Sequence, residues 1–147
     1  MHPLGLRPGR DRGTGSVQPV DDATGRWSDL ADRHPDLLLL VLIGSRATGQ
    51  EHPGSDWDFG VLAGPGLDLL GLRADLVSEV RTDAVDVADL ARASAVLRRD
   101  AAVSGRLLVE REPGAFAAFQ IEAVTFWADA EPVIREAHAD VLRAAAG

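Results

Sequence analysis

The sequence predicts an α/β domain in which helices cover a short mixed β-sheet. Apolar runs of strand length alternate along the chain with segments whose apolar residues recur at helical spacing. Glycines and prolines separate the two kinds of segment. At 147 residues the chain has the length of one domain with its own core. A two-layer or three-layer arrangement of helices on a sheet is therefore expected.

The beginning of the chain differs in composition from the rest. Residues 1–21 are rich in Gly, Pro and Arg without periodicity, which predicts a disordered extension, an expression remnant or a misassigned start. Residues 22–147 are expected to form the domain. Its first helix should begin near Asp22 or Thr24 and end before Pro35.

Strands and helices are then predicted to alternate. The continuous apolar run at residues 37–43 has the length of a buried strand. Further strands are predicted at residues 56–62, around Asp86 and at residues 107–110, and the helix after the Asp86 strand should start at Leu90. An amphipathic helix over residues 69–80 should connect the second strand to the third.

Two or three helices are predicted in the C-terminal half. Asp89 is expected to cap a helix that ends at Gly105. Pro113 fits the first turn of a later helix that runs to about Asp129. Pro132 should then either kink this helix or start a new one.

Residues 44–59 contain the pattern that says most about function. Gly44 and Ser45 end the first strand, so that backbone amides and a hydroxyl freed there can face phosphate oxygens. Asp56 and Asp58 are two residues apart in a predicted strand, which places their side chains on one face. Adjacent carboxylates repel each other unless a cation lies between them, and such hard oxygen ligands suit magnesium. The pattern therefore predicts a site for a nucleoside triphosphate and a divalent metal.

The order of Gly44-Ser45, ten further residues and Asp56-x-Asp58 resembles the signature of the minimal nucleotidyltransferases, relatives of the polymerase-beta catalytic domain. The resemblance extends over about residues 22–145. It implies the minimal nucleotidyltransferase fold, with a short mixed sheet and C-terminal helices.

The resemblance also implies roles for individual residues. Asp86, in an alternating apolar and acidic segment, stands where the family has a third carboxylate. Asp56, Asp58 and Asp86 would bind two magnesium ions, with Asp86 as a metal ligand or general base. The residues implied to contact the phosphates of the donor ATP are Gly44, Ser45 and Arg46.

Residues 55–58 and 105–108 resemble, more narrowly, the nucleotidyltransferase antitoxins that are paired with HEPN-domain toxins. This branch implies transfer of AMP from ATP to a hydroxyl, foremost a tyrosine of the toxin, whose ribonuclease activity is thereby silenced. Two other functions stay open: a small-molecule nucleotidyltransferase of the antibiotic-modifying type, and an antitoxin that only binds its toxin and has an unused site. Thr48 stands where many relatives have a second arginine, and Phe59 where Leu or Ile is usual.

Several residues have simpler interpretations. Arg46 suits phosphate contact and packing of its aliphatic stem equally well. His52 is expected to be a solvated loop residue and Trp57 a core residue. Arg98 and Arg99 are expected to be solvated on a helix.

Composition excludes several classes of protein. The chain has no cysteine, which excludes disulfides, thiolate zinc sites and a cysteine nucleophile, and all of its 15 basic residues are arginine. No apolar run reaches the roughly 18 residues of a membrane span, and the N-terminus lacks a signal-peptide core, so a cytoplasmic protein is expected. The net charge of −8 disfavours long nucleic acids. It suits a basic protein partner or a small cationic acceptor.

Overall fold

Four strands and five helices make up residues 24–146, the part of the chain that the computed structural model describes. The predicted mixed α/β domain is confirmed, whereas the predicted N-terminal extension and the candidate cap Asp22 lie outside the described residues. The elements are, in chain order, α1 (Thr24–Arg33), β1 (Leu37–Ile43), α2 (Ser45–Thr48), β2 (Trp57–Ala63), α3 (Leu69–Val80), β3 (Val85–Asp89), α4 (Ala95–Ser104), β4 (Arg106–Glu110) and α5 (Ala115–Ala146).

The strands form one mixed sheet in the order β3-β2-β1-β4. β1 pairs antiparallel with β2 and with β4, and β2 pairs parallel with β3. Six of the seven residues of β1 are buried, because this strand has a neighbour on each side and helices on both faces. Its continuous apolar sequence follows from that position.

The sheet separates two hydrophobic clusters, which gives the domain three layers. One cluster packs β1 and β2 against α1 and α3, with Trp27 and Leu76 among its buried residues. The other packs the opposite face of β1 against α4 and α5, with Ala101 and Phe119 buried. Within the described residues, none of the helices is long and apolar enough to cross a membrane.

The start of α4 differs from the prediction. The helix begins at Ala95, and Ser94 caps it by accepting a hydrogen bond from the Leu97 amide at 3.2 Å. Asp89 instead ends β3, and its carboxylate accepts from the Ala91 amide at 3.0 Å. The Leu90 amide donates to the Val61 carbonyl of β2 at 2.8 Å, and the Arg92 amide donates to the Asp89 carbonyl at 3.0 Å, so the chain leaves the sheet in a turn and not in a helix. The prediction that Asp89 caps a helix starting at Leu90 was therefore wrong.

α5 is longer than predicted. It continues through Pro132 as one helix of 32 residues, so no new helix starts there and the helix does not end near Asp129. Pro113 lies in the turn that precedes α5 rather than in its first turn. Phe119 and Ala123 are the residues of this helix that are buried against the rest of the described structure. The prediction that Gly105 ends the preceding helix is confirmed.

Loss of the Ser94 cap should destabilise the domain. Ser94→Ala leaves the Leu97 amide without its side-chain acceptor, so we expect the free energy of unfolding to fall by about 0.5–2 kcal/mol. Urea unfolding monitored by circular dichroism measures this change. Ser78→Ala is the matched control, because Ser78 is exposed inside α3 and alanine is the better helix former there. Equal losses in the two variants would contradict the capping role.

Candidate active site

A sharp turn at Gly44 connects β1 to α2. Gly44 has φ 82° and ψ −156°, a backbone conformation that only glycine adopts without strain. Its carbonyl accepts hydrogen bonds from the Ala47 and Thr48 amides at 3.0 and 3.3 Å, which starts the short helix. Among the described residues no side chain caps α2. The Ser45 and Arg46 amides, which precede these bonded amides, can therefore bind an external acceptor.

The strand register brings Asp58 to this turn. Asp58 pairs with Ile43 of β1 on one side and with Asp86 of β3 on the other. Side chains paired across neighbouring strands lie on the same face of the sheet, so Asp58 and Asp86 face the same layer. A Cβ atom on Gly44 would lie 3.0 Å from Oδ2 of Asp58. The glycine thus leaves room for the carboxylate.

The three predicted carboxylates influence one another electrostatically. Burial raises the pKa of Asp58, and the negative charges of Asp86 and then Asp56 raise it further. Asp58 is half-buried, whereas Asp56 and Asp86 are exposed. Within residues 24–146 no three His, Cys, Asp or Glu side chains are close enough together to hold a metal ion by themselves. The carboxylates are therefore neighbours without forming a closed metal cage.

Two clefts adjoin the carboxylates and the turn. The carboxylate cleft has a volume of about 480 Å³, and its lining includes Asp58, Asp86 and the apolar residues Val87 and Leu97. The hydroxyl cleft has a volume of about 290 Å³ and is lined by Ile43, Gly44, Ser45, Thr48, Gln50, Asp100 and Ser104. Ile43, Gly44 and Asp100 line both clefts.

Arg46 does not line either cleft. Its guanidinium donates to the Ser55 carbonyl, from Nη2 at 3.0 Å and from Nε at 3.3 Å, and lies 4.4 Å from the centre of the Trp57 ring. Trp57 in turn packs against Phe59 at the edge of the core, with ring centres 6.0 Å apart. Arg46 thereby connects the turn to the residues just before β2, while its contact with phosphate stays a prediction.

His52 shapes the loop between the two halves of the motif. Its Nδ1 accepts from the Gly54 amide at 3.1 Å, and its own amide donates to Ser55 Oγ at 2.9 Å. The side chain is exposed, as expected for a loop residue.

Asp100 was not predicted as a site residue. It lies three residues after Leu97 and four before Ser104, so the three residues share the face of α4 that lines the clefts. The helical periodicity was visible in the sequence, but it did not indicate which polar residue of the helix faces the site.

The prediction for Arg98 was wrong. Its side chain is only 17% exposed and lies 4.0 Å from the Glu122 carboxylate. Its guanidinium also lies 4.6 Å from the ring centre of Phe126. The close packing of α4 against α5 covers it.

Comparison with known proteins now decides the family. The sequence pattern of the family described as Polymerase beta, Nucleotidyltransferase matches residues 27–114, which is more than half of the chain. The chain belongs to this nucleotidyltransferase family. The matched region contains the Gly44 turn and all three carboxylates, and the four-stranded mixed sheet with its helices is the polymerase beta-like nucleotidyltransferase fold.

Individual relatives include a protein adenylyltransferase and a chain of a toxin-antitoxin structure. The nucleotidyltransferase is 39% identical over 82 residues to the protein adenylyltransferase MntA of Shewanella oneidensis, an alignment that covers 54% of this chain and 58% of the relative. It resembles a chain in the crystal structure of a toxin-antitoxin with AMP-PNP, with a TM-score of 0.62 and 28% identity over 78% of this chain and 98% of that one.

A further structure contains a modified toxin. This is the tri-AMPylated HEPN toxin of Shewanella oneidensis in complex with the MNT antitoxin, matched with a TM-score of 0.57 and 26% identity over 78% of this chain and 95% of that one.

Adding a side chain at Gly44 should disturb the turn and the carboxylate together. Gly44→Ala forces alanine into a conformation that costs about 1–3 kcal/mol and pushes a methyl group against Asp58. Gly49→Ala is the comparison variant, because Gly49 lies in the milder left-handed region with φ 80° and ψ 13°, and an added Cβ there meets nothing within 4 Å. The difference between the variants reports the backbone strain at Gly44 together with its contact to Asp58. We expect the larger loss of unfolding free energy for Gly44→Ala. Equal losses in urea unfolding would contradict the contact with Asp58.

Neutralising Asp58 should stabilise the protein when no metal is present. Folding raises the pKa of this carboxyl. At any pH above the unfolded-state pKa of about 3.9, ionisation of Asp58 therefore destabilises the folded state. In EDTA at pH 7 we expect Asp58→Asn to melt at a higher temperature than the unchanged protein. The difference should shrink as the pH falls through the raised pKa and vanish below about pH 3.9. Identical melting temperatures at pH 7, measured by circular dichroism, would contradict the repulsion.

Proposed function

We propose that this nucleotidyltransferase transfers AMP from ATP to a protein hydroxyl, and that the acceptor is a tyrosine of a HEPN-domain toxin whose ribonuclease activity is silenced. The observation that carries the proposal is Asp58, which lies between Asp86 and the Gly44 turn at the edge of a cleft. Similarity to an MntA protein adenylyltransferase and to a complex containing an AMPylated HEPN toxin supports the acceptor class. The chain spans 58% of that MntA protein's length.

The carboxylates suit a divalent metal. Their mutual repulsion is relieved by a cation, and their hard oxygens prefer magnesium. Since they form no closed cage within the described residues, they suit an ion that takes its remaining ligands from water and from the triphosphate. We assign two magnesium ions to Asp56, Asp58 and Asp86. When bound, magnesium would neutralise the charge that develops on the phosphate oxygens.

Different groups of the protein bind the donor phosphates and orient the acceptor hydroxyl. The first-turn amides of α2 and the Ser45 hydroxyl hold phosphate oxygens of the donor. Asp86 lies on the acceptor side, where it orients the attacking hydroxyl and accepts its proton. The hydroxyl oxygen forms a bond to the α-phosphorus while the bond from that phosphorus to the bridging oxygen breaks. Pyrophosphate leaves, and AMP stays on the acceptor.

The composition of the chain supports an acceptor on another molecule. The chain contains no tyrosine, so a tyrosyl acceptor has to come from a partner. A phenol is closer to ionisation at neutral pH than an aliphatic hydroxyl, which makes it the easier nucleophile. The net charge of −8 favours encounter with a basic surface.

The test is an AMP-transfer assay with a purified HEPN-domain toxin as the acceptor. Incubation with ATP and magnesium should add the mass of AMP to a tyrosine of that protein and suppress its RNA cleavage, and EDTA should prevent both. Asp86→Ala should abolish transfer and leave the dissociation constant of Mg-ATP within about tenfold. Asp56→Asn combined with Asp58→Asn should abolish Mg-ATP binding in titration calorimetry.

Asp83→Ala is the matched control, because Asp83 is an exposed acid in the turn before β3. Its transfer rate should equal that of the unchanged protein. Full inhibition of an unmodified toxin would instead indicate an antitoxin that only binds. Nucleotide found on an aminoglycoside and not on the toxin would indicate a small-molecule enzyme.

A further inference from the structure

Asp100 lies where the carboxylate cleft and the hydroxyl cleft meet, because it lines both of them. The helix that carries it is firmly held. Ala101 and Ala102, which follow it, are buried. The side-chain amide of Gln120 on α5 donates from Nε2 to the Ala102 carbonyl at 2.9 Å. Ser94 caps the N-terminus of the same helix. The position of Asp100 beside the clefts is therefore set by rigid packing.

Asp100 stands apart from the three predicted metal ligands. Asp100 comes from α4, whereas Asp58 and Asp86 belong to β2 and β3 and Asp56 immediately precedes β2. Its ion pair with Arg99 has a length of 3.8 Å and is about half exposed, so it constrains the carboxylate weakly. Asp100 is thus available to a ligand in the clefts.

The chemistry of the hydroxyl cleft indicates the kind of group that Asp100 contacts. An ionised carboxylate only accepts hydrogen bonds, and it repels phosphate, so its partner has to be a donor. The polar side chains that share this cleft with Asp100 are neutral: Ser45, Thr48, Gln50 and Ser104. Such a lining suits a ligand rich in hydroxyl groups.

We propose that Asp100 accepts hydrogen bonds from the ribose hydroxyls of the bound nucleotide and makes the site select ribonucleotides over deoxyribonucleotides. The inference rests on the proposed function, since it takes ATP as the donor. The ribose is joined to the α-phosphate through one methylene and one oxygen, so it has to lie close to the Gly44 turn. The hydroxyl cleft begins at that turn and contains Asp100. A carboxylate that binds ribose hydroxyls performs the same role in dinucleotide-binding folds.

Titration calorimetry with Mg-ATP, Mg-2′-dATP and Mg-3′-dATP tests this inference. The unchanged protein should bind at least one of the two deoxynucleotides about 10- to 100-fold more weakly than ATP, as the loss of a hydrogen bond to a charged group predicts. In Asp100→Ala the ratio of the dissociation constant for that deoxynucleotide to the one for ATP should fall to about one. The variant binds ATP more weakly, while its affinity for the deoxynucleotide is unchanged. Asp100→Asn, whose amide oxygen can still accept, should give an intermediate ratio.

Asp129→Ala is the matched control, because it removes the same charge from an exposed position on α5 and should leave the ratio unchanged. Equal affinities of the unchanged protein for all three nucleotides would overturn the inference. So would discrimination that persists in Asp100→Ala, or tighter ATP binding by that variant, which would show that Asp100 repels the phosphates. A protein that binds none of the three nucleotides would contradict the proposed function itself, and the inference with it.

Discussion

The pairing of Asp58 with Ile43 on one side and Asp86 on the other is the constraint around which the site is built. This register places a carboxylate on the sheet face that α4 and α5 cover, where its ionisation is costly. Gly60, two residues further along β2, faces the same layer. A Cβ there would lie 2.8 Å from both Ile43 Cδ1 and Leu90 Cδ2. The absent side chain lets these two apolar residues pack beside the carboxylate.

The same constraint explains the features around Asp58. A side chain at Gly44 would compete with the carboxylate for space, so the turn that offers amides to an anion also leaves room for the group that suits a cation. Backbone amides with partial positive charge thereby lie close to a carboxylate of the neighbouring strand. Arg46 adds to this arrangement by joining the turn to Ser55, immediately before the acidic pair. The site thus contains repulsion between carboxylates that a cation would relieve, an arrangement common at functional sites.

The remaining helices complete the clefts around this centre. α4 contributes Leu97, Asp100 and Ser104 from one face, and α5 holds α4 in place. The second half of α5 extends away from this packing and exposes apolar side chains, with Val133 68% and Leu142 69% exposed. The part of the helix that supports the site is therefore its first four turns, where Phe119 and Ala123 are buried.

The sequence by itself determined the features that depend on local chemistry. The apolar run of β1 needed burial on both faces, and Gly44-Ser45 interrupted it. The two-residue spacing of Asp56 and Asp58 predicted a shared strand face, but β2 begins at Trp57, so only Asp58 lies in the strand and Asp56 immediately precedes it. The register of Asp86, which pairs with Asp58 across β2 and β3, came from the family resemblance and not from local spacing. The apolar run of β1 and its interruption at Gly44 could be predicted because they depend on periodicity and turn chemistry within a few residues.

Only the tertiary structure decided the features that depend on distant partners. Leu90 does not start a helix because its amide bonds to Val61 of β2, which overrides the helical spacing around it. Arg98 is covered because α5 lies across it. Asp100 faces the clefts because the packing of α4 fixes which side of the helix turns toward β1. Helical periodicity defines an apolar face, but the polar residue at its border becomes part of a site only when another element of the fold lies opposite.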